Sequence, residues 1–203
     1  MEKRHATNQR VEIRREENQP ASISGYAAVF YRADQPGTEF RLADDYVERI
    51  QPGAFDNALQ NADDARALFN HDSNQVLGRV SSGTLRLNVD EVGLRYQIDL
   101  PDTQLGRDVA TIIERGDVSG SSFAFAVNDK GSEVTRDGEQ MVRTITDVSL
   151  FDVGPVTYPA YQATSTAKRN TEALEELEAY RTANQAAVDA VNVRSRLIEL
   201  GIN

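Results

Sequence analysis

Histidine is the scarcest chemically useful residue in this chain, whose 203 residues include two histidines and no cysteine. Imidazole is the side chain that exchanges its proton most readily near neutral pH. His5 lies in a charged terminal stretch that we expect to be frayed, so acid–base chemistry on an imidazole falls to His71. Three-histidine metal sites, zinc ribbons, iron–sulfur sites, disulfide scaffolds and thiol catalysis are all excluded. Any nucleophile must therefore be an oxygen or a lysine.

A serine cluster supplies the candidate nucleophiles. Residues 116–127 read GDVSGSSFAFAV and contain Ser119, Ser121 and Ser122, without the G-x-S-x-G elbow of α/β-hydrolases. The alternation of a strand directs Phe123 and Phe125 toward a core. Ser122 then lies on the opposite face with Ala124 and Ala126 as its neighbours. Such small neighbours leave room for a substrate beside Ser122.

A strand register suggests which carboxylate could accompany this serine. Residues 141–153, MVRTITDVSLFDV, read as one strand that follows a polar loop. If Val127 faces Val142 in an antiparallel pair, Ser122 faces Asp147 in the same ladder. Facing residues lie about 5 Å apart, near enough for His71 to be held beside them. A slip of one residue would remove this arrangement.

The elements that must position these residues are mostly short strands. Alternating apolar residues predict one hairpin from 11–13 with 23–30 and another from 85–89 with 94–100. Helices are predicted to begin near Pro52 and at Asp102 or Thr103, the second ending at Gly116. Many short strands need mutual protection of their edges. The fold class is therefore α+β and mainly β, with a closed or sandwiched sheet and a few helices.

The composition changes after Ala163. TSTAKRN (164–170) is small and polar, and 171–200 contains no glycine or proline, which predicts one long C-terminal helix. The organisation is a mainly β domain at 1–163, a linker at 164–170 and a helical segment at 171–203. A weak heptad leaves two alternatives for this helix: it folds back on its own domain, or it binds a helical partner or a second copy. On the second alternative, a chain ending near Ala167 should still fold.

Net charge and hydropathy limit the kinds of partner and the cellular compartments expected for this protein. The formal net charge of −10 repels phosphate backbones, so nucleic acid is not an expected partner. No apolar run approaches the 18 or so residues of a membrane span, and the first residues lack the apolar core of a signal peptide. We therefore expect a cytosolic protein that contacts no membrane.

The order of the motifs resembles the prohead maturation proteases of tailed phages. The motifs are GYAAVF (25–30), ERIQPGAF (48–55), NHD (70–72), LGR (77–79), SGTLRL (82–87), LPDTQLGRD (100–108), RGDVSGSSFAF (115–125) and DVSLFDVGPVTYPA (147–160). That family resembles the herpesvirus assemblins, serine proteases built on a closed β-barrel surrounded by helices, and the resemblance implies this architecture here. It also implies that His71 is the catalytic histidine and that Ser122 is the catalytic serine.

For the third catalytic residue, the resemblance implies Asp147, at a position where the family usually has a glutamate. Asp152 and Asp72 are the alternatives. In such a triad His71 takes the proton of Ser122, and the carboxylate fixes the imidazole tautomer and stabilises the imidazolium. This chemistry calls for no cofactor and no metal.

The function that the resemblance implies is that of a serine endopeptidase of phage head maturation. It would act in the host cytoplasm inside the immature prohead, and would cleave the major capsid protein precursor or scaffold and also itself. A homo-oligomer through the C-terminal helix is a further expectation. The alternative is a non-catalytic assembly protein, in which a protease-like barrel carries a capsid-binding helix at 171–200. Retention of both His71 and Ser122 favours the enzyme.

Overall fold

The computed structural model describes residues 1–6, 10–16, 20–61, 64–158 and 173–185. Within these ranges the chain forms thirteen strands and two complete helices, together with a helical segment over 173–185. The elements are β1 (Glu2–Ala6), β2 (Glu12–Arg14), β3 (Ser22–Val29), β4 (Glu39–Ala43), β5 (Tyr46–Ile50), α1 (Asp56–Gln60), β6 (Arg66–Leu68), β7 (Val76–Arg79), β8 (Leu85–Val89), β9 (Gly93–Asp99), α2 (Gln104–Glu114), β10 (Gly120–Val127), β11 (Ser132–Asp137), β12 (Gln140–Ile145) and β13 (Val148–Val156).

The strands form three sheets. Their orders are β1-β10-β13-β6-β7, β11-β12-β5-β4 and β2-β3-β9-β8. The mainly β class with a few helices is thus confirmed. The predicted closed barrel is not found in the described part of the chain, because β12 pairs in parallel with β5 in a second sheet instead of continuing the sheet of β10.

The two predicted hairpins are confirmed. Ile13 faces Ile23 in the β2–β3 pair, and Leu85 faces Ile98 in the β8–β9 pair. The second predicted helix is α2, whose N-cap is Thr103, with a side chain that accepts a hydrogen bond from the backbone N–H of Gly106. These elements follow their sequence patterns because each buries one periodic apolar face.

A row of aromatic rings fixes β10 from its inner side. Phe123 and Phe125 stack with their centroids 4.9 Å apart, and Phe55 meets Phe123 edge-on at 5.7 Å. All three rings are fully buried in the main core. Because ring packing of this kind leaves little freedom, the backbone of β10 and the side chains on its other face are held in place.

The predicted strand over 141–153 is interrupted at Thr146 and Asp147. Gly131 lies so close to this corner that a Cβ there would be 2.3 Å from the carbonyl oxygen of Asp147. The chain changes sheets at the corner, so β10 pairs with β13 and not with β12. The predicted register is therefore wrong: Val127 faces Val148, and Ser122 faces Gly154.

The first residues are not frayed, contrary to expectation. They form β1, which pairs antiparallel with β10 along its whole length. Ion pairs hold this charged strand: the Arg4 guanidinium binds Glu2 at 2.6 Å and Glu48 at 2.6 Å. Arg143 reaches Glu2 at 2.8 Å and Glu48 at 2.7 Å. We call these four nearly buried side chains, together with Glu176, the ion network.

The helical segment packs on its own domain, the first of the two alternatives. Ala173 and Leu177 are buried beside Leu42, Tyr46 and Met141. Glu176 joins the ion network through Arg143, 2.6 Å away. The heptad positions at this end of the helix are thus used inside the domain. The predicted linker at 164–170, and the part of the predicted helix beyond residue 185, lie outside the described residues.

Candidate active site

His71 lies in a tight loop after β6. Asn70 and His71 have φ angles of +56° and +57°, in the left-handed region that non-glycine residues seldom occupy. The Asn70 backbone N–H donates to the Pro155 carbonyl at 3.1 Å, and its side-chain oxygen accepts from the backbone N–H of Thr157 at 2.8 Å. These bonds tie the loop to the end of β13, which offsets the cost of its backbone conformation.

Asp72 closes the same loop. Its carboxylate accepts hydrogen bonds from the backbone N–H of Asn74 at 2.9 Å and from the side chain of Gln75 at 3.0 Å. The Asn74 backbone bond, followed by those from the Gln75 and Asn74 side chains, lowers the pKa of Asp72 below its ordinary value. With both oxygens engaged in the turn, Asp72 supports the loop and does not contact the imidazole.

Ser122 and Ser121 point to opposite faces of β10. The Ser122 hydroxyl lies 2.7 Å from His71 Nε2, on the outer face. The Ser121 hydroxyl lies 2.7 Å from the Tyr96 hydroxyl in the interior, where burial raises the pKa of Tyr96. The alternation of the strand therefore assigns contact with the imidazole to Ser122 alone.

Asp152 is the carboxylate that contacts His71. Its Oδ1 lies 2.5 Å from His71 Nδ1, and the two side chains are 7% and 9% exposed. Asp152 faces Ala124 across the β10–β13 ladder, one step along the same face from the Ser122–Gly154 pair. The register of two neighbouring strands thus brings Asp152 to one side of the imidazole and Ser122 to the other.

Asp147 is not part of this group, which corrects the expectation from the sequence. It lies beside the β10 end at Val127, five residues or about 17 Å of strand away from Ser122. Its backbone N–H donates to the Gly131 carbonyl, and its buried Oδ1 has no hydrogen-bond partner among the described residues. The corner between β12 and β13 places it there. Asp152, one of the two alternatives, lies beside the imidazole, where Asp147 was expected.

A carboxylate, an imidazole and a serine hydroxyl in series are the groups that acyl transfer requires. Asp152 can accept the Nδ1–H of His71, which leaves Nε2 free to take the proton of Ser122. Gly154, which has no side chain, faces the serine. A Cβ at Gly154 would lie 2.1 Å from the Leu68 carbonyl oxygen, so this strand crossing also requires a glycine.

Within the described ranges, no group of three or more His, Cys, Asp or Glu side chains is arranged to hold a metal ion. No helix in the same ranges is long and apolar enough to cross a membrane.

Comparison with known proteins identifies the family. The family model described as the Caudovirus prohead serine protease matches residues 9–178. The chain belongs to this family. The resemblance drawn from the NHD, SGSSFAF and YPA motifs is thereby confirmed, and the matched range contains His71, Ser122 and Asp152.

One solved structure is also similar to this chain. The capsid assembly protease of bacteriophage T4 shares 12% identity with this chain at a TM-score of 0.41, over 77% of this chain and 99% of that chain. No curated protein matches the sequence.

One contact of Ser122 is not expected from the sequence. The Ser122 hydroxyl lies 2.6 Å from the backbone carbonyl oxygen of Arg4, in β1. His5 faces Ser122 in the ladder and packs edge-on against Phe40, with ring centroids 6.1 Å apart. Burial, and then the charge of Arg4, lower the pKa of His5, which favours the neutral imidazole. A backbone contact leaves no signal in side-chain types, and EKRHA (2–6) lacks the alternation of apolar residues that predicts a strand.

Proposed function

We propose that this chain is a serine endopeptidase of phage head maturation in which Ser122 is the nucleophile, His71 the general base and Asp152 the orienting carboxylate. The observation that carries the proposal is the unbroken hydrogen-bonded series from Asp152 through the imidazole to the Ser122 hydroxyl. Membership of the prohead serine protease family supports the same chemistry.

Each step follows from this arrangement. The Ser122 Oγ attacks the carbonyl carbon of the scissile peptide bond while its proton moves to His71 Nε2. The imidazolium keeps its Nδ1–H directed at Asp152, which stabilises the positive charge. His71 then gives the Nε2 proton to the leaving amine as the C–N bond breaks, and an acyl-enzyme remains. In the second half of the reaction, water replaces Ser122 as the nucleophile and gives its proton to His71 Nε2. The ester bond to Ser122 then breaks, which releases the carboxylic acid product and restores the serine hydroxyl.

The substrate is the precursor of the major capsid protein or the scaffold, cleaved inside the immature prohead, and the protease also cleaves itself. The family description, which names the prohead, supports this substrate class.

The test is an incubation of the purified protein with the capsid precursor of its own phage, with fragments identified by mass spectrometry. We expect defined fragments from the wild type and none from Ser122→Ala. A fluorophosphonate should label the wild type on Ser122. Intact precursor, together with no label on Ser122, would contradict the proposal and favour a non-catalytic assembly protein with a protease-like fold.

A further inference from the structure

The strand that carries the nucleophile has both of its edges occupied. On one edge β10 pairs with β13, which carries Asp152. On the other it pairs with β1, the outermost strand of the sheet, in a ladder that runs from Glu2 facing Phe125 to Ala6 facing Ser121. A peptide that bound along β10 would need one of these two places. Because β13 holds a member of the triad, the place that can be vacated is that of β1.

β1 also engages the hydroxyl that must react. A serine hydroxyl has one proton. The Ser122 hydroxyl has two acceptors within reach, the Arg4 carbonyl oxygen at 2.6 Å and His71 Nε2 at 2.7 Å. When the proton is directed at Arg4, the imidazole receives none, and the serine is not activated. Moreover, Ser122 is only 5% exposed with β1 in place.

We propose that β1 occupies the strand position of the substrate and holds the protease idle until an extended peptide, or release of β1, displaces it. This inference rests on the proposed function and adds to it both a substrate form and a means of control. Peptides commonly bind by adding a strand to a sheet edge, where backbone hydrogen bonds supply affinity.

The way β1 is held is consistent with a displaceable strand. Ala6 is its one buried apolar side chain, whereas Glu2 and Arg4 are buried through ion pairs. The attraction within buried ion pairs is largely offset by the cost of removing the charges from water. β1 also precedes the range that the family model matches, which begins at residue 9. The matched range therefore contains the triad without the strand that covers it.

A reversible lock tests the inference directly. Lys3 faces Ala124 across the β1–β10 ladder, at a separation that suits a disulfide, and the chain has no cysteine of its own. In the Lys3→Cys, Ala124→Cys double variant we expect the oxidised form to cleave a peptide substrate at least about 10-fold more slowly than the same protein after reduction. Equal rates before and after reduction would overturn the inference. The two single variants control for the effect of each cysteine.

A loosening variant tests the opposite direction. His5→Ala removes the ring contact with Phe40 but leaves no buried charge without a partner. We expect kcat/KM for a short peptide to rise about 2- to 10-fold, the range that one aromatic contact allows, and His5→Phe to restore the wild-type value. If β1 is needed to shape the site, His5→Ala will instead lower kcat/KM, which would overturn the inference.

The same assays separate this inference from the proposed function. If no protein in the series cleaves peptide, and fluorophosphonate labels none of them on Ser122, the proposed function fails and the inference fails with it. If the wild type cleaves in a Ser122-dependent manner while the locked form is equally fast, only the role of β1 is refuted.

Discussion

Two buried polar clusters lie on the two faces of the β1–β10 ladder, and they are built in different ways. In the ion network, Glu48 is fully buried between the guanidinium groups of Arg4 and Arg143. In the proposed triad, Asp152 meets the imidazole of His71 and no guanidinium within the described residues. One carboxylate thus has two permanent cations as neighbours, and the other has a single group that can lose its proton.

This difference separates stability from chemistry. Burial on its own raises the pKa of Glu48, but Arg4 and Arg143 outweigh it and hold that pKa below its ordinary value of 4.5. No proton is available to move in such a cluster, so it can hold strands together but cannot take part in proton transfer. In the triad the partner of the carboxylate is an imidazole, whose proton can be passed to a substrate. We therefore expect substitutions in the network to alter folding, and substitutions in the triad to alter turnover.

The largest effect on activity is expected at the nucleophile. Ser122→Ala should lower kcat by about 10⁴- to 10⁶-fold, because the imidazole then has no hydroxyl to activate. Ser121→Ala is the matched control, since its hydroxyl bonds to Tyr96 on the other face. It should retain most of the activity in the same peptide assay. An equal loss from both variants would break the assignment of the two serines to different faces.

The largest effect on stability is expected in the network. Arg143→Ala leaves Glu2 and Glu48 buried with one guanidinium fewer, and should reduce the free energy of unfolding by about 3–5 kcal/mol. Urea denaturation measures this change. His71→Ala is the control: it should abolish cleavage with a much smaller shift of the urea midpoint. A destabilisation by His71→Ala as large as that by Arg143→Ala would remove the distinction between the two clusters.

The sequence predicted the elements whose signal is local. The hairpins with Ile13 facing Ile23 and Leu85 facing Ile98 follow from alternation, and α2 follows from its apolar spacing and the Thr103 cap. The proposed catalytic residues His71 and Ser122 are indicated by their residue types and by family motifs, and the structure places their side chains in contact. Each of these features depends on a short stretch of chain, and each is present in the structure.

What the sequence could not predict depends on distant contacts. Residues 141–153 alternate as one strand would, and the corner at Asp147 arises from its close approach to Gly131. A strand without that corner would place Asp147 opposite Ser122. With the corner, the β10–β13 register places Asp152 on the same face as Ser122, beside His71. β1 was missed because its charged residues are typical of an exposed terminus. They are buried only because Glu48 and Arg143, far along the chain, supply the opposite charges.

A smaller effect is expected where the helical segment meets the network. Leu177 is 2% exposed, and its packing helps to hold Glu176 beside Arg143. Leu177→Ala should destabilise the protein by about 2–3 kcal/mol in urea denaturation, toward the lower end for buried leucines because this small cluster lies apart from the main core. The exposed Glu178→Ala is the control. An unchanged urea midpoint in Leu177→Ala would show that the helical segment adds little stability. It would then favour the prediction that a chain ending near Ala167 folds without this segment.

The smallest effect on stability is expected at Asp72, whose carboxylate accepts hydrogen bonds from the uncharged groups of Asn74 and Gln75. Its lowered pKa means that its ionised form stabilises the folded state above the ordinary value of 3.8, and that this contribution is lost as pH falls through the lowered folded value. The difference in melting temperature between wild type and Asp72→Asn should therefore be constant from pH 5 to 8 and shrink below about pH 4. A difference that grows in acid would contradict the assigned hydrogen bonds.

The most direct test of the account compares Asp152→Asn with Asp147→Asn in one peptidase assay at pH 7.5. Asparagine keeps the size of aspartate but has no negative charge to stabilise an imidazolium, and its NH2 group can hold His71 in the wrong tautomer, so kcat should fall by about 10⁴-fold when Asp152 is replaced. Asp147→Asn should retain activity within a few fold, since Asp147 lies about 17 Å along the strand from the nucleophile. A large loss from Asp147→Asn, with Asp152→Asn close to wild type, would contradict the triad described here.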